Sequence, residues 1–156
     1  MTLRELRKNK GITQQQAADF VGMPLRTYSN YENDFKKQNS IKYKYIVEKL
    51  YTYGYIDEET GILPLDEIKR ICTSVLSKYP VEYCYLFGSY AKGKAHPSSD
   101  VDLLIYTSVS GLKFFGLVEE LREQLKKKVD VLDQKQIMDN FELTNEILKD
   151  GIKIYG

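Results

Sequence analysis

The chain has 156 residues, 42% of them hydrophobic, and a formal net charge of +1, which allows one domain or two small ones with real cores. Two cysteines and a single histidine are too few for a disulfide framework, a zinc site, or catalysis through Ser-His-Asp or Cys-His pairs, so an enzyme built on this chain works with carboxylates. No run approaches the ~18 uninterrupted apolar residues of a membrane span, and the start, Met1 to Leu6, lacks the apolar stretch of a signal peptide; a cytoplasmic protein is expected. Charge is uneven: residues 1–55 hold ten Lys/Arg against five Asp/Glu, and residues 56–156 hold thirteen against seventeen. A basic front suits a polyanion such as DNA, and an acidic back suits metal ions or a basic partner.

The first fifty residues read as consecutive short helices. Thr2 with Glu5 and Thr13 with Gln16 have the spacing of capping boxes, which mark two helix starts. Gly11 and Gly22 fit the stops of these helices, and Pro24 suits the first turn of a third, expected over 24–31. Ile41, Tyr45, Ile46, Leu50 and Tyr53 recur at helical spacing and predict a fourth helix over 40–53. Tyr43, Tyr45, Tyr51, Tyr53 and Tyr55 are expected as packing residues. Residues 1–55 form one all-helical domain in this reading, 56–63 an acidic, glycine-interrupted linker, and 64–156 a second domain.

Beyond Pro64 helices and strands alternate. A helix is expected over 65–79, strands over 81–87, 101–106 and 129–132, and a helix over 112–127 with Phe115, Val118, Leu121 and Leu125 on its buried face. One more helix and a last strand, 152–155, complete an α/β or α+β layer. Cys72 and Cys84 fall in apolar positions and read as core thiols, and His96, beside Pro97, as a solvated loop residue.

The chemistry concentrates at Gly88-Ser89, ten residues, then Asp100-Val101-Asp102. Side chains two apart in a strand share a face, so Asp100 and Asp102 aim at one point while Val101 turns into the core. Such carboxylates repel unless cations bind, and magnesium takes one or two protein carboxylates together with water and phosphate oxygens. Gly88 permits close backbone approach, and Ser89 with the amides of the following turn can receive phosphate oxygens. A third carboxylate from a neighbouring strand is expected at Asp130, with Asp133 as the alternative; in a two-metal site it serves the attacking hydroxyl and can accept its proton.

The stretch Gly88-Ser89-Tyr90-Ala91-Lys92-Gly93 through Ser99-Asp100-Val101-Asp102-Leu103, with Asp130 downstream, resembles the minimal nucleotidyltransferases of the DNA polymerase β superfamily over about residues 65–156. Within it, the ten-residue spacing and small size look most like the antitoxins of HEPN/MNT toxin–antitoxin pairs. The resemblance implies a small mixed sheet flanked by helices, two Mg2+ ions held by Asp100, Asp102 and Asp130, and ATP as substrate. It also implies a HEPN ribonuclease as the partner that receives AMP on a tyrosine. Lys92 stands where the family usually has arginine and keeps the charge without the planar fork, which leaves it a weak phosphate or acceptor role.

Thr13-Gln14-Gln15-Gln16-Ala17-Ala18, Gly22, and Pro24 to Glu32 resemble the helix-turn-helix of Xre/Cro-like phage repressors over about residues 2–53. The resemblance implies that the helix at 24–31 enters the major groove of operator DNA, with Leu25, Arg26, Thr27 and Asn30 toward the bases or backbone and Gln14 on phosphate. Arg26 is the base reader, its fork matching guanine O6 and N7. Pro24 and Leu25 replace the polar residues usual there. The expected whole is an antitoxin that adenylylates its partner and represses its own operon, as a homo-oligomer or a hetero-oligomer with the toxin. A regulator with an inactive second domain and a small-molecule nucleotidyltransferase remain open.

Overall fold

Thr2 and Thr13 each close a capping box: their hydroxyls accept from the backbone N–H three residues on, while Glu5 and Gln16 reach back to the cap residues' own N–H. These caps open α1 (Leu3–Asn9) and α2 (Gln14–Val21). Gly22 ends α2 in the left-handed region at φ +78°, where a side chain would be strained. α3 spans Leu25–Asn33; Pro24 is its capping residue rather than its first helical one, and the helix outruns its expected end at Tyr31. A 3-10 turn, Phe35–Lys37, leads to α4 (Ile41–Tyr51), capped by Ser40. The computed structural model describes all 156 residues and divides them into two compact units, Met1–Tyr55 and Ile56–Gly156.

The first unit packs around Leu3, Leu6, Ala17, Ala18, Tyr28, Tyr43, Ile46 and Leu50. Of the five tyrosines read as packing residues, Tyr43 is buried with its phenol oxygen accepting from the Leu3 N–H at 2.9 Å, and Tyr53 meets Phe20 edge to face. Tyr45, Tyr51 and Tyr55 are exposed instead: the buried stripe of α4 is Tyr43, Ile46 and Leu50, which leaves Tyr45 and Tyr51 off that face, and Tyr55 lies beyond the helix. A buried ion pair ties α3 to α1: the Glu32 side chain is fully enclosed and accepts from Arg7, whose guanidinium approaches to 2.8 Å. Burial alone would raise the Glu32 carboxyl, but hydrogen bonds from Arg7 and Gln14, with the Arg7 charge, outweigh it and hold the group below its ordinary range.

The second unit runs α5 (Leu65–Leu76), β1 (Val81–Phe87), α6 (Gly88–Ala91), β2 (Val101–Thr107), α7 (Leu112–Leu125), β3 (Val129–Asp133), α8 (Gln134–Met138), α9 (Phe141–Asp150) and β4 (Ile152–Tyr155). Its sheet has the order β3-β2-β1-β4. β1 pairs antiparallel with β2 and β4, and β2 pairs parallel with β3, so the sheet is mixed. One face, carrying Cys84, Leu86, Val101, Leu103, Ile105 and Ile154, is covered by Ile68, Cys72, Val75 and Leu76 of α5 and by Leu117, Leu121 and Leu125 of α7. The opposite face carries Tyr85, Phe87, Leu104 and Leu132, packed with Ile147 of α9 and Ile137 of α8.

This unit departs from expectation in three places. The buried stripe of α7 is Leu117, Leu121 and Leu125, while Phe115 is 65% exposed; the stripe runs in steps of four from Leu117, and Phe115, two residues before it, falls about half a turn away. The single helix read after β3 is two, since Asp133 caps α8 through a capping box with Gln136 and Asn140 starts α9 afresh. Residues 56–63, read as a linker, pack onto the second unit through Leu63 and Ile56. Cys72 and Cys84 are free, buried thiols, and burial pushes the Cys72 thiol up to about 12.

Candidate active site

β1 ends at Phe87, and Gly88 turns the chain at φ +72° into the single turn of α6. The antiparallel register sets Phe87 opposite Asp102, which draws the Asp102 side chain over Gly88. A Cβ on Gly88 would overlap the Asp102 carboxylate. Glycine is therefore required twice at this position, by its dihedral and by the carboxylate that occupies the space a side chain would fill. The N–H groups at the start of α6, which follows directly on Phe87, have no earlier helical turn to bond.

The parallel register sets Asp130 directly beside Asp102, and both belong to the sheet face opposite the main core. Asp100 precedes β2 by one residue and is exposed, as is Asp130, while Asp102 is half-buried. Burial, then the charges of Asp130, Asp100 and Glu146, push the Asp102 carboxyl up to about 6. Asp133, the alternative third carboxylate, accepts at Oδ1 from the N–H groups of Lys135 and Gln136, both at 2.9 Å, and so caps α8; its register partner is Ile105 rather than Asp102.

The donors at this corner are carboxylates, which suit a hard cation, and their mutual repulsion is the condition a divalent ion relieves. No three His, Cys, Asp or Glu side chains are gathered tightly enough to cage a metal unaided. Magnesium keeps water and substrate phosphate oxygens in its shell and asks the protein for one or two carboxylates. Asp102 with Asp100 or Asp130 would provide them.

Two residues that the sequence reading missed frame the corner. Glu146, on α9, adds negative charge toward Asp102 and pairs with Lys92 at 2.8 Å. Lys92, expected on phosphate, is thus held by a carboxylate just beyond α6. Lys127 has no exposed surface. Its ammonium donates to the carbonyl oxygens of Gly61 at 2.6 Å, Pro97 at 2.5 Å and Thr60 at 3.2 Å, while burial holds its pKa below the ordinary lysine range. Lys126 takes φ +57° at the end of α7, and the next residue then turns inward. Through Pro97, Lys127 pins the loop that delivers Asp100. In sequence it sits in the run Lys126-Lys127-Lys128, which reads as a solvated charge patch; only the left-handed residue before it separates it from its neighbours.

In the first unit, Arg26 and Asn30 are exposed on α3, Leu25 is 40% exposed, and Thr27 is partly exposed. Gln14 lies against the buried Glu32 carboxylate and helps to lower its pKa. His96 is exposed, its ring Nδ1 3.0 Å from the Ser98 hydroxyl. No helix is long and apolar enough to cross a membrane.

Comparison with known proteins places both units. The family model described as polymerase beta, nucleotidyltransferase matches residues 70–156, and a helix-turn-helix model matches residues 3–43. A protein of Methanocaldococcus jannaschii provisionally named as a protein adenylyltransferase, MJ0435, is 37% identical over 90 residues, covering 56% of this chain and 89% of that protein. The protein adenylyltransferase MntA of Thermococcus cleftensis is 36% identical over 78 residues, covering 46% of this chain and 79% of that protein. A solved structure described as a minimal nucleotidyltransferase superposes with a TM-score of 0.50 at 25% identity, covering 63% of this chain and 96% of that one.

Proposed function

The chain belongs to the polymerase beta nucleotidyltransferase family, and from that membership we propose that it transfers AMP from ATP to a tyrosine hydroxyl of a HEPN-type toxin. The observation that carries the reading is the corner itself: Asp102 lies in the space above Gly88, Asp130 is registered beside it, and the neighbouring charges acting on Asp102 are all negative. A half-buried carboxylate surrounded by its own sign is stabilised by a cation that arrives with substrate. The similarity to named protein adenylyltransferases supports a protein as acceptor.

In this reading Gly88 and Ser89 receive phosphate oxygens on backbone amides and a hydroxyl, with Lys92 leaving Glu146 to assist. Asp100 and Asp102 hold the cations, and Asp130, on the edge strand, orients the acceptor hydroxyl and can take its proton. Magnesium, when bound, would offset charge on the phosphates and ease ionisation of the attacking hydroxyl. The new bond joins the acceptor oxygen to the α-phosphorus while the bond to the bridging oxygen of pyrophosphate breaks.

The test is intact mass of a co-expressed neighbouring-gene product after incubation with this protein, ATP and magnesium, beside Asp100→Ala/Asp102→Ala. Mass added in whole AMP units by the unaltered protein alone is the expected result. No added mass on a partner shown to bind would sink the mechanism and favour a regulator whose second unit is inactive.

For the first unit we propose operator binding. The exposed face of α3 carrying Arg26 and Asn30, together with the helix-turn-helix match, supports it. Arg26→Ala should weaken binding to the promoter DNA of its own operon by about 1–3 kcal/mol at fixed salt and relax one base position. A mobility-shift series that shows no change would remove Arg26 as a base reader.

A further inference from the structure

Lys92 and Glu146 come from different elements and meet beside the carboxylate corner. Lys92 closes the C-terminal end of α6, its backbone N–H bonded to the Gly88 carbonyl oxygen at 3.1 Å. That places it one helical turn, about 5.4 Å, beyond Gly88 and on the same side of the turn. The flexible four-carbon stem of a lysine crosses that distance, which brings an anion seated on Gly88 and Ser89 within reach of the ammonium. In the structure it reaches elsewhere, and Nζ donates to Oε1 of Glu146 at 2.8 Å. Asp150, four residues further along α9, acts on Lys92 as well. The Glu146 hydrogen bond, then the charges of Glu146 and Asp150, hold the Lys92 pKa above the ordinary lysine range.

The direction of this bridge bears on the corner. Glu146 is close enough to act on Asp102, and every neighbouring charge that acts on Asp102 is negative, so the cation at the end of α6 is turned away from the carboxylates. Both side chains of the bridge are about one-third exposed, and an ion pair so open to water adds little to folding stability. A terminal phosphate carries more charge than a carboxylate and presents three acceptor oxygens, so it competes well for the ammonium. We infer that Glu146 is a latch that stands in for substrate phosphate: it holds Lys92 in the empty site and yields it when a polyphosphate binds. The inference rests on the placement of the phosphates at Gly88 and Ser89. Glu146 acts through Lys92 and is a positioning residue, and because every binding event must break the bridge, removing Glu146 should improve binding. Loss of an architectural residue would do the opposite.

Titration calorimetry on the full chain, at saturating magnesium and a salt concentration that screens distant exposed charges, compares inorganic tripolyphosphate and ATP on the unaltered protein, Glu146→Gln, Lys92→Met and the double variant. Glu146→Gln should bind both ligands about three- to fivefold more tightly, the range open to a partly exposed ion pair. In the Lys92→Met background the same change should gain less than about 1.5-fold, and the excess of the first gain over the second is the bridge. Equal gains with and without Lys92 would mean that Glu146 acts only by repulsion through space, and the latch would be overturned. No gain, or a loss, in Glu146→Gln with an intact melting curve would make the pair architectural and overturn the latch while the phosphate placement stands. A gain for ATP that tripolyphosphate does not share would put the effect away from the phosphates and overturn it equally. Absence of binding by either ligand to all four folded proteins would remove the phosphate placement and the latch together.

Discussion

Glu32 in the helical unit and Asp102 in the sheet unit are both carboxylates drawn into the protein, and they are treated in opposite ways. Glu32 is sealed with Arg7 against it, and the pair holds its pKa below the ordinary range. Asp102 is half-buried among Asp130, Asp100 and Glu146 and is pushed up to about 6. The first charge is neutralised by the fold and ties two helices together. The second is left for a ligand to neutralise, and a fold retains such a group at a cost in stability because the group is used.

The comparison predicts that removing each carboxylate damages a different property. Asp100→Ala/Asp102→Ala should reduce AMP transfer by at least about a thousandfold, the order expected when charge stabilisation at a phosphoryl centre is lost, while the melting curve of the sheet unit stays intact. Arg7→Met should do the reverse. It removes the closer of the two guanidiniums paired with Glu32 and leaves only Arg4 at 3.3 Å, which should destabilise the helical unit by about 3 kcal/mol in a denaturant titration, with AMP transfer by the sheet unit unchanged. A loss of transfer in Arg7→Met that matches its loss of folded protein would erase the distinction.

Much of this contrast was legible in the sequence. The capping boxes at Thr2 and Thr13, the alternation along β1 and β2, and the Gly-Ser and Asp-x-Asp spacing all act over a few residues, so they survive in one dimension. What escaped was set by tertiary packing. The strand order that sets Asp130 beside Asp102 and leaves Asp133 at a helix cap is not in local pattern, which is why the sequence offered Asp133 as an alternative to Asp130. Phe115 was read as buried from its helical spacing to Val118, Leu121 and Leu125, whereas the sheet selects the stripe through Leu117. Glu146 lies on a helix whose orientation over the sheet no periodicity gives. Lys127 hides in a lysine run until Lys126 turns it inward.

Lys127 sharpens the comparison at an intermediate magnitude, as a buried charge that is satisfied by backbone rather than by a carboxylate. Lys127→Met leaves the Gly61, Thr60 and Pro97 carbonyls without their donor and should cost about 2–3 kcal/mol of stability. As a positioning residue it should also raise the magnesium concentration needed for half-maximal transfer, because the Asp100 loop is released. Lys127→Arg should restore part of both. A stability loss with the magnesium dependence unmoved would confine Lys127 to architecture.

The smallest effect is the most discriminating, because its sign is opposite for the two carboxylates. Glu32 has a lowered pKa, so its contribution is present above the ordinary carboxylate range and is lost as pH falls through its folded value. Asp102 has a raised one. Between its ordinary value of 3.8 and about 6 the folded state binds the proton more tightly than the unfolded chain, so Asp102 favours folding in acid and the benefit disappears as pH rises through 6. With chelator present, Asp102→Asn should therefore stabilise the sheet unit at pH 7 by about 1–2 kcal/mol, the two-unit shift discounted for partial exposure to solvent. The gain should vanish near pH 4, where the unaltered carboxyl is protonated. Magnesium with ATP should stabilise the unaltered protein far more than the variant, since only the former offers the charge. A variant no more stable than the parent at pH 7 would mean that the repulsion at Asp102 is already relieved within the fold, and the contrast with Glu32 would collapse.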